Sequence, residues 1–411
     1  MSELRREAQP ASMRCLYLDN NATTRVDPQV LEAMLPFFTE HFGNASSKHD
    51  FGETASDAVR TARGRVQKLI GAARDTEIVF TASGTEAGNT AILSALETQA
   101  GRNEIITSQV EHPAILAVCD HLEKTGRAKI HRIPVDTDGR LDIDAYRSAL
   151  GANTACVSLM WANNETGVVF PVEQLAAPAH EAGALFHSDA VQATGKIPID
   201  IRNTPIDLLS FSAHKLHGPK GIGALYVRKG VPLQPLIRGG RQERGRRAGS
   251  ENVPAIVGFG KAAEAARRSL QNDMPRVKNL RDTLERRLLA TIDDASVIGD
   301  RANRIPTTLN IAFAYLESDA ILVLLNKRGI AASSGSACAS GSMEPSHVLR
   351  AMKVPYAAAH GAVRFSLSRE STAADIDRVL EVMPEIVAKL RGPALTLDTP
   401  RSPMALQESY V

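Results

Sequence analysis

The chain has 411 residues, 43% of them hydrophobic and 23% charged, and 48 basic against 46 acidic side chains leave a formal net charge of +2. This length suits two domain-sized units, or one large and one small, and the charge balance gives no reason to expect a polyanion along the whole surface. No window approaches 18 apolar residues, so no membrane-spanning helix is expected, and four cysteines without a CxxC pair do not make a disulfide framework.

Residues 1–14, MSELRREAQPASMR, carry acidic side chains and no apolar run, so they read as an extension rather than a secretory signal or transit peptide. Met13 is an alternative start, and a reducing cytoplasm is the expected location. FGETASDAVRTARGRVQKLIG (51–71) repeats apolar residues at helical spacing, and EIVFT (77–81) reads as a short strand. GTEAGNTAILSAL (84–96) predicts a helix, EIITS (104–108) a strand, HPAILAVCDHLEKT (112–125) a helix and ACVSLMWA (155–162) a strand. EQLAAPAHEAG (173–183) is the next helix, followed by the strands ALFHSDA (184–190), IDLLSFS (206–212) and GALYVRK (223–229). Short apolar strands separated by helices predict an α/β fold with a mainly parallel central sheet covered on both faces.

The pattern then turns long and helical through VGFGKAAEAARRSL (257–270) and VKNLRDTLERRLLATI (277–292). A smaller α+β unit follows, with TTLNIAFAYL (307–316), DAILVLLNKRG (319–329), AVRFSLS (362–368) and IDRVLEVMPEIVAKL (376–390). The expected organisation is a large domain at 28–254, a small α+β domain from 15–27 and 255–391, and a frayed tail at 392–411. Within the small unit, AASSGSACASGSMEPSH (331–347) is so small and polar that it predicts a surface loop around one thiol, Cys338.

Three polar clusters fall at strand ends, where open α/β sheets bind ligands. In SGTE (83–86), Gly84 permits a tight turn, and the amides that follow, with the Thr85 hydroxyl, would face an anion at a helix N-terminus. The plainer reading is a cap by Ser83 or Thr85 with Glu86 in the first turn. HSDAVQATGK (187–196) ends an apolar strand on Asp189, a carboxylate that needs a protonated nitrogen or a cation unless it is a turn residue. SFSAHKLHGPKGIG (210–223) puts Lys215 at the mouth of the sheet, after Ser212 and His214. A partly desolvated lysine there can form an imine, although most lysines are simply solvated.

The S-x-x-K spacing lacks the SDN and KTG motifs that would make it a β-lactamase signature. The nearby glycines precede a strand, the reverse of a dinucleotide fingerprint. An anion-binding turn, a strand-end Asp and a strand-end Lys 26 residues later together describe a pyridoxal 5'-phosphate (PLP) site. In such a site Lys carries the Schiff base, and Asp keeps the pyridine nitrogen protonated so that the ring draws electrons. No metal site is expected.

These motifs, with YLDNNATT (17–24), TASGTEAGNTA, EHPA, WANNETG, ERGRRAG and SSGSAC, make the chain resemble the class V aminotransferase family, and within it the cysteine desulfurases (NifS/IscS-like). The resemblance covers nearly the whole chain except both tails. It implies the PLP-dependent transferase fold type I, aspartate aminotransferase-like. It also implies conversion of L-cysteine to L-alanine, with sulfur passing to Cys338 as a persulfide. Lys215 would carry the cofactor, Asp189 would pair with the pyridine nitrogen and Gln192 with the ring oxygen. His112 would lie over the ring and move protons, while Asn164 would touch cofactor or substrate. Gly84, Thr85, Ser212 and His214 would hold the phosphate, helped by Ser250 of a partner subunit in a homodimer. Arg364 would clamp the substrate carboxylate.

Further motifs, MLPFFTEHFGN among them, favour the nitrogen-fixation (NifS-type) branch, with an iron–sulfur scaffold protein as sulfur acceptor and nitrogenase clusters as destination. The alternatives are a housekeeping iron–sulfur desulfurase or a selenocysteine lyase. Arg241 stands where relatives usually have His, and Ser250 where they usually have Thr. Arg238, Arg241, Arg244, Arg246 and Arg247 crowd one segment, but an isolated cluster in a chain of this net charge is a weak nucleic-acid footprint. Neither nucleic acid nor membrane is an expected partner.

Overall fold

The computed structural model describes residues 15–335 and 344–392; the expected extension at 1–14, the tail beyond 392 and Cys338 lie outside the described residues. The chain opens with β1 (Leu16–Tyr17), two short helices, α1 (Pro28–Met34) and α2 (Pro36–Thr39), and the long α3 (Asp50–Ile70). Then come β2 (Ile78–Thr81), α4 (Gly84–Thr98), β3 (Glu104–Ser108), α5 (Pro113–Lys124), β4 (Lys129–Ile133) and α6 (Ile143–Ala149). β5 (Thr154–Ser158), α7 (Val172–Glu181), β6 (Leu185–Asp189), β7 (Leu208–Ser212) and β8 (Gly223–Val227) complete the large sheet. α8 (Val253–Asn272), α9 (Met274–Thr291), β9 (Ala295–Val297), β10 (Thr308–Phe313), α10 (Ser318–Lys327) and β11 (Ile330–Ala331) follow. The described chain ends with α11 (His347–Ala351), α12 (Tyr356–Ala359), β12 (Ala362–Ser366) and α13 (Ala373–Arg391).

Seven strands form one sheet in the order β2-β8-β7-β6-β5-β3-β4. β4, β3, β5, β6 and β7 are parallel, and β8 runs antiparallel to both of its neighbours, β7 and β2. Both faces are covered. On β3, Ile105 packs with Ile92 of α4 and Ile115 of α5, while Ile106 joins the large core that holds Val59 of α3 and Phe259 of α8. Successive strand residues point to opposite faces, so an apolar run this continuous belongs to a sheet buried on both sides.

β4 was not anticipated. Its sequence, KIHRI, mixes charge into an edge position, as expected of a strand that must not recruit another chain.

A second core gathers Leu309 and Ile311 of β10, Val363 and Phe365 of β12, and Val379 and Met383 of α13. It sits on the antiparallel sheet β12-β10-β9. Leu18 joins it from the other end of the chain, because β1 pairs in parallel with β11. α8 buries its apolar face in the first core, and a methyl group added at Gly260 would fall 2.5 Å from the Ala62 Cα of α3. Apart from Leu18, the buried residues of the second core start at Met274.

The described ends of the expected 331–347 loop are built into the fold. Ala331 pairs with Tyr17, and Ser333 and Ser346 are buried. Small side chains here allow close backbone packing, a role that composition alone does not distinguish from exposure. Among the described residues no helix is long and apolar enough to cross a membrane.

Candidate active site

A cavity of about 550 Å³ opens at the carboxyl ends of the parallel strands. Of the expected site residues that the structure describes, all line it except Ser250. Gly84 and Thr85 come from the first turn of α4. Ser83 is its N-cap, and the Ser83 hydroxyl accepts from the Glu86 N–H at 3.1 Å. The plainer reading of SGTE therefore holds for Ser83, while Thr85 faces the cavity. At Gly84 a Cβ would lie 2.8 Å from Val191 Cγ2 and 3.6 Å from the Ser212 Cβ, so only glycine lets this turn approach.

Asp189 is the last residue of β6. Its Oδ1 accepts from the Val191 N–H at 2.9 Å. Burial raises its carboxyl from 3.8 to about 6, against the pull of that hydrogen bond and of Lys215. One strand over, β7 ends at Ser212, and a single 3-10 turn carries His214 and Lys215. The Ser212 hydroxyl lies 3.4 Å from the Ile222 carbonyl, and His214 Nδ1 lies 3.1 Å from Thr23 Oγ1. Burial, with Lys215 next, lowers the His214 imidazole to about 4.

Lys215 Nζ donates to the carbonyls of Asn21 and Ala22, at 2.5 and 2.7 Å. Asn21 is a hub. Its N–H donates to Ser366 Oγ at 3.0 Å, and its side-chain amide donates to Thr308 Oγ1 and to the Asn164 carbonyl at 2.8 and 3.0 Å. Gln192 gives its amide N–H to the Asn21 carbonyl at 3.0 Å and accepts from Lys196 at 2.5 Å. Lys196 also donates to Asn21 Oδ1 at 3.1 Å. Complete burial, with Lys215 nearby, holds the Lys196 amine well below its usual range.

His112 caps α5, with Nδ1 accepting from the Ala114 N–H at 3.1 Å. Burial first, then the charges of Lys215 and His347, lower its imidazole to about 4. The ring is neutral at pH 7, and with Nδ1 accepting, its proton sits on Nε2.

Arg364 of β12 is buried and donates to Asp19 Oδ1 at 2.7 Å, to the Asn164 carbonyl at 2.9 Å and to the Gly335 carbonyl at 3.2 Å. Its Nε has no hydrogen-bond partner among the described residues. These surroundings are compatible with the expected carboxylate clamp and also make Arg364 a structural ion-pair partner of Asp19. Ser250 is exposed and lines a separate cleft of about 230 Å³ with Glu243 and Arg247.

Several ionisable residues at or beside the site carried no expectation from sequence, Lys196, Glu111 and Glu165 among them. Lys196 lies in the expected 187–196 cluster. Glu111, beside His112, accepts from Ser108 Oγ at 2.7 Å and the Met160 N–H at 2.9 Å, and burial raises it to about 8. Glu165 accepts from Ser346 Oγ at 2.6 Å, and burial raises it too. The only sequence signal for the two acids is their place next to His112 in EHPA and Asn164 in NNE.

The family model for aminotransferase class-V matches residues 16–379. A cysteine desulfurase of Gluconacetobacter diazotrophicus is 68% identical over 379 residues, spanning 92% of this chain and 95% of that protein. The cysteine desulfurase NifS of Azotobacter vinelandii is 58% identical over 380 residues, spanning 92% and 94%. Among solved structures, a NifS-like protein superposes with a TM-score of 0.85 at 38% identity over 91% of this chain and 99% of that one. SspA in complex with cysteine gives 0.76 at 33%, over 87% and 100%. The expected α/β architecture, fold type I of the PLP-dependent transferases, is the one found, and the chain belongs to the class-V aminotransferase family.

Proposed function

We propose that this chain is a PLP-dependent cysteine desulfurase that converts L-cysteine to L-alanine and carries the sulfur on Cys338. The observation that carries the reading is the pairing of Asp189 and Lys215 at the ends of neighbouring strands, facing one cavity. The donor set suits the cofactor. A carboxyl that burial holds near 6 is stabilised as the anion by a protonated ring nitrogen. The start of α4 with Ser212 and His214 offers donors to a phosphate, and Lys215 offers a primary amine to an aldehyde. The cavity is within the range of small-molecule sites.

When bound, the cofactor draws electrons away from the substrate Cα and so loosens the adjoining bonds. The protein does the rest. Arg364 holds the substrate carboxylate, Lys215 Nζ takes and returns the Cα proton, and the His112 Nε2–H donates a hydrogen bond to the reacting sulfur. The Cys338 thiolate forms an S–S bond to the substrate sulfur as the Cβ–S bond breaks. The electron pair stays on carbon, a proton completes alanine, and Cys338 is left as the persulfide.

Residues 28–254 would form the cofactor domain, and the second core the smaller domain. In a homodimer, Ser250 of one subunit would reach the partner's phosphate site, which suits its exposure and its distance from this chain's own cavity. A cytoplasmic role in nitrogenase iron–sulfur assembly, with a scaffold protein taking the sulfur, extends the reading. The deciding experiment records the visible spectrum of the pure protein, adds L-cysteine, and assays alanine and protein-bound sulfur. A colourless protein that makes no alanine even with added PLP sinks the proposal.

A further inference from the structure

The described residues nearest Cys338 are Gly335 and Glu344. One buried carboxylate touches the chain on both sides. Glu165 Oε2 accepts the Ser346 hydroxyl proton at 2.6 Å, and Ser346 Oγ in turn accepts from the Leu349 N–H at 3.2 Å, capping α11. A hydroxyl has a single proton to give, so Ser346 commits it to Glu165. On the other side, a methyl group at Gly335 would lie 3.1 Å from the same Oε2, and Gly335 has φ +96°. Its N–H donates to Ser333 Oγ at 3.1 Å, and its carbonyl accepts from Arg364.

Glu165 is itself fixed. Its N–H donates to Asn163 Oδ1 at 2.8 Å, and its carbonyl accepts from Asn310 Nδ2 at 3.2 Å. Only 2% of the residue is exposed. Burying an acid is unfavourable unless specific partners compensate, and here the compensating contacts lie where the chain leaves for Cys338 and returns. A fold seeking stability alone would place an apolar side chain at this position.

We propose that Glu165 is a positioning residue for sulfur transfer. By holding Ser346 through its hydroxyl and leaving room only for glycine at 335, whose carbonyl Arg364 holds, it sets the two points between which the chain must carry Cys338 to the substrate. The inference rests on the cysteine desulfurase reading and adds to it a residue outside the expected set.

The test compares wild-type, Glu165→Ala, Glu165→Gln and Ser346→Ala holoenzymes. The readouts are the visible spectrum, its change on adding L-cysteine, single-turnover persulfide yield, and kcat and KM for alanine formation. A small misplacement of a reacting group can lower a rate by up to about a hundredfold. Glu165→Ala and Ser346→Ala should each lower kcat and persulfide yield by about tenfold or more, with the spectrum and its response to cysteine kept and KM little changed. Glu165→Gln keeps an acceptor for Ser346 and should recover most of the loss. If Glu165→Ala does not accumulate as folded protein, Ser346→Ala is judged by the same criteria. Unchanged kcat, loss of the chromophore or its response, or no recovery in Glu165→Gln overturns the proposal. A wild-type protein that responds to cysteine without making alanine overturns the underlying reading instead, and the inference with it.

Discussion

Lys215 Nζ sits 2.5 Å from the carbonyl oxygen of Asn21, a residue almost two hundred positions earlier in the chain. Two carbonyls, those of Asn21 and Ala22, are suited to a protonated amine, which has donors only. Only the neutral amine attacks an aldehyde. Lys215→Arg keeps the charge and the donors but cannot form an imine. It is expected to fold, to show no visible imine band with PLP, and to make alanine at least about a hundredfold more slowly. A coloured, active variant would reject Lys215 as the cofactor lysine.

Asp189 makes the cofactor-free protein less stable at neutral pH. Its folded value of about 6 lies above the ordinary 3.8, so the folded state binds the extra proton between those values. Stability therefore falls as pH rises through that window, by roughly 3 kcal/mol in all. Asp189→Asn keeps the acceptor for Val191 and removes the charge. Urea titrations of the cofactor-free proteins should show the variant more stable than wild type at pH 7 and similar to it near pH 3.5. Equal differences at both values would contradict the assignment, and the variant should also lose most alanine formation.

His112 is neutral throughout the physiological range, since burial, with Lys215 next, holds it near 4. The wild-type pH–rate profile should show no inflection near the usual histidine value that belongs to this ring. His112→Ala should lower alanine formation by about a hundredfold to a thousandfold, as loss of a hydrogen-bond donor at the reacting atoms does. An inflection near pH 6.5 that disappears in His112→Gln would show that the ring titrates normally.

Arg364 binds Asp19 through one terminal nitrogen and two carbonyls through the other. Lysine cannot reproduce that fork. Arg364→Lys is expected to raise KM for L-cysteine about tenfold or more, because a bidentate carboxylate contact is lost. Arg364→Ala would leave Asp19 without its partner and lower stability by about 3 kcal/mol or more. Initial rates against cysteine concentration and urea midpoints separate the two effects. An unchanged KM in the lysine variant would leave only the structural pair.

Cys119 and Cys156 are buried, and burial raises both thiols, Cys119 to about 12. Neither should react with iodoacetamide in the native protein, whereas Cys15 is exposed and should. Cys338→Ala should keep the visible spectrum and form neither alanine nor persulfide. Peptide mass mapping after brief alkylation reads the first expectation, and an amino-acid assay reads the second.

The strands that end in Asp189 and Ser212 were legible because they are short apolar runs bounded by polar turns. Their order within the sheet was not. GALYV reads the same whichever way β8 runs, and only its pairing with β7 and β2 reveals the reversal. β4 was missed because an edge strand carrying Lys, His and Arg lacks the apolar signature of its neighbours. Lys196, Glu111 and Glu165 went unassigned for a different reason. Ionisable residues usually read as solvated, and the burial of these three depends on partners such as Asn21 and Ser346, 175 and 181 positions away.

Asn21 gives the site a particular birth order. Its backbone N–H is held by Ser366, and the neighbouring Asp19 is held by Arg364, both on the strand β12 near the far end of the chain. During synthesis the large sheet can be complete while β12 is still inside the ribosome, and until β12 emerges the Asn21 loop lacks these anchors. The loop whose carbonyls seat Lys215 is thus anchored by residues from both halves of the chain. A chain truncated before β12 would lack the Ser366 and Arg364 anchors of the loop whose carbonyls seat Lys215.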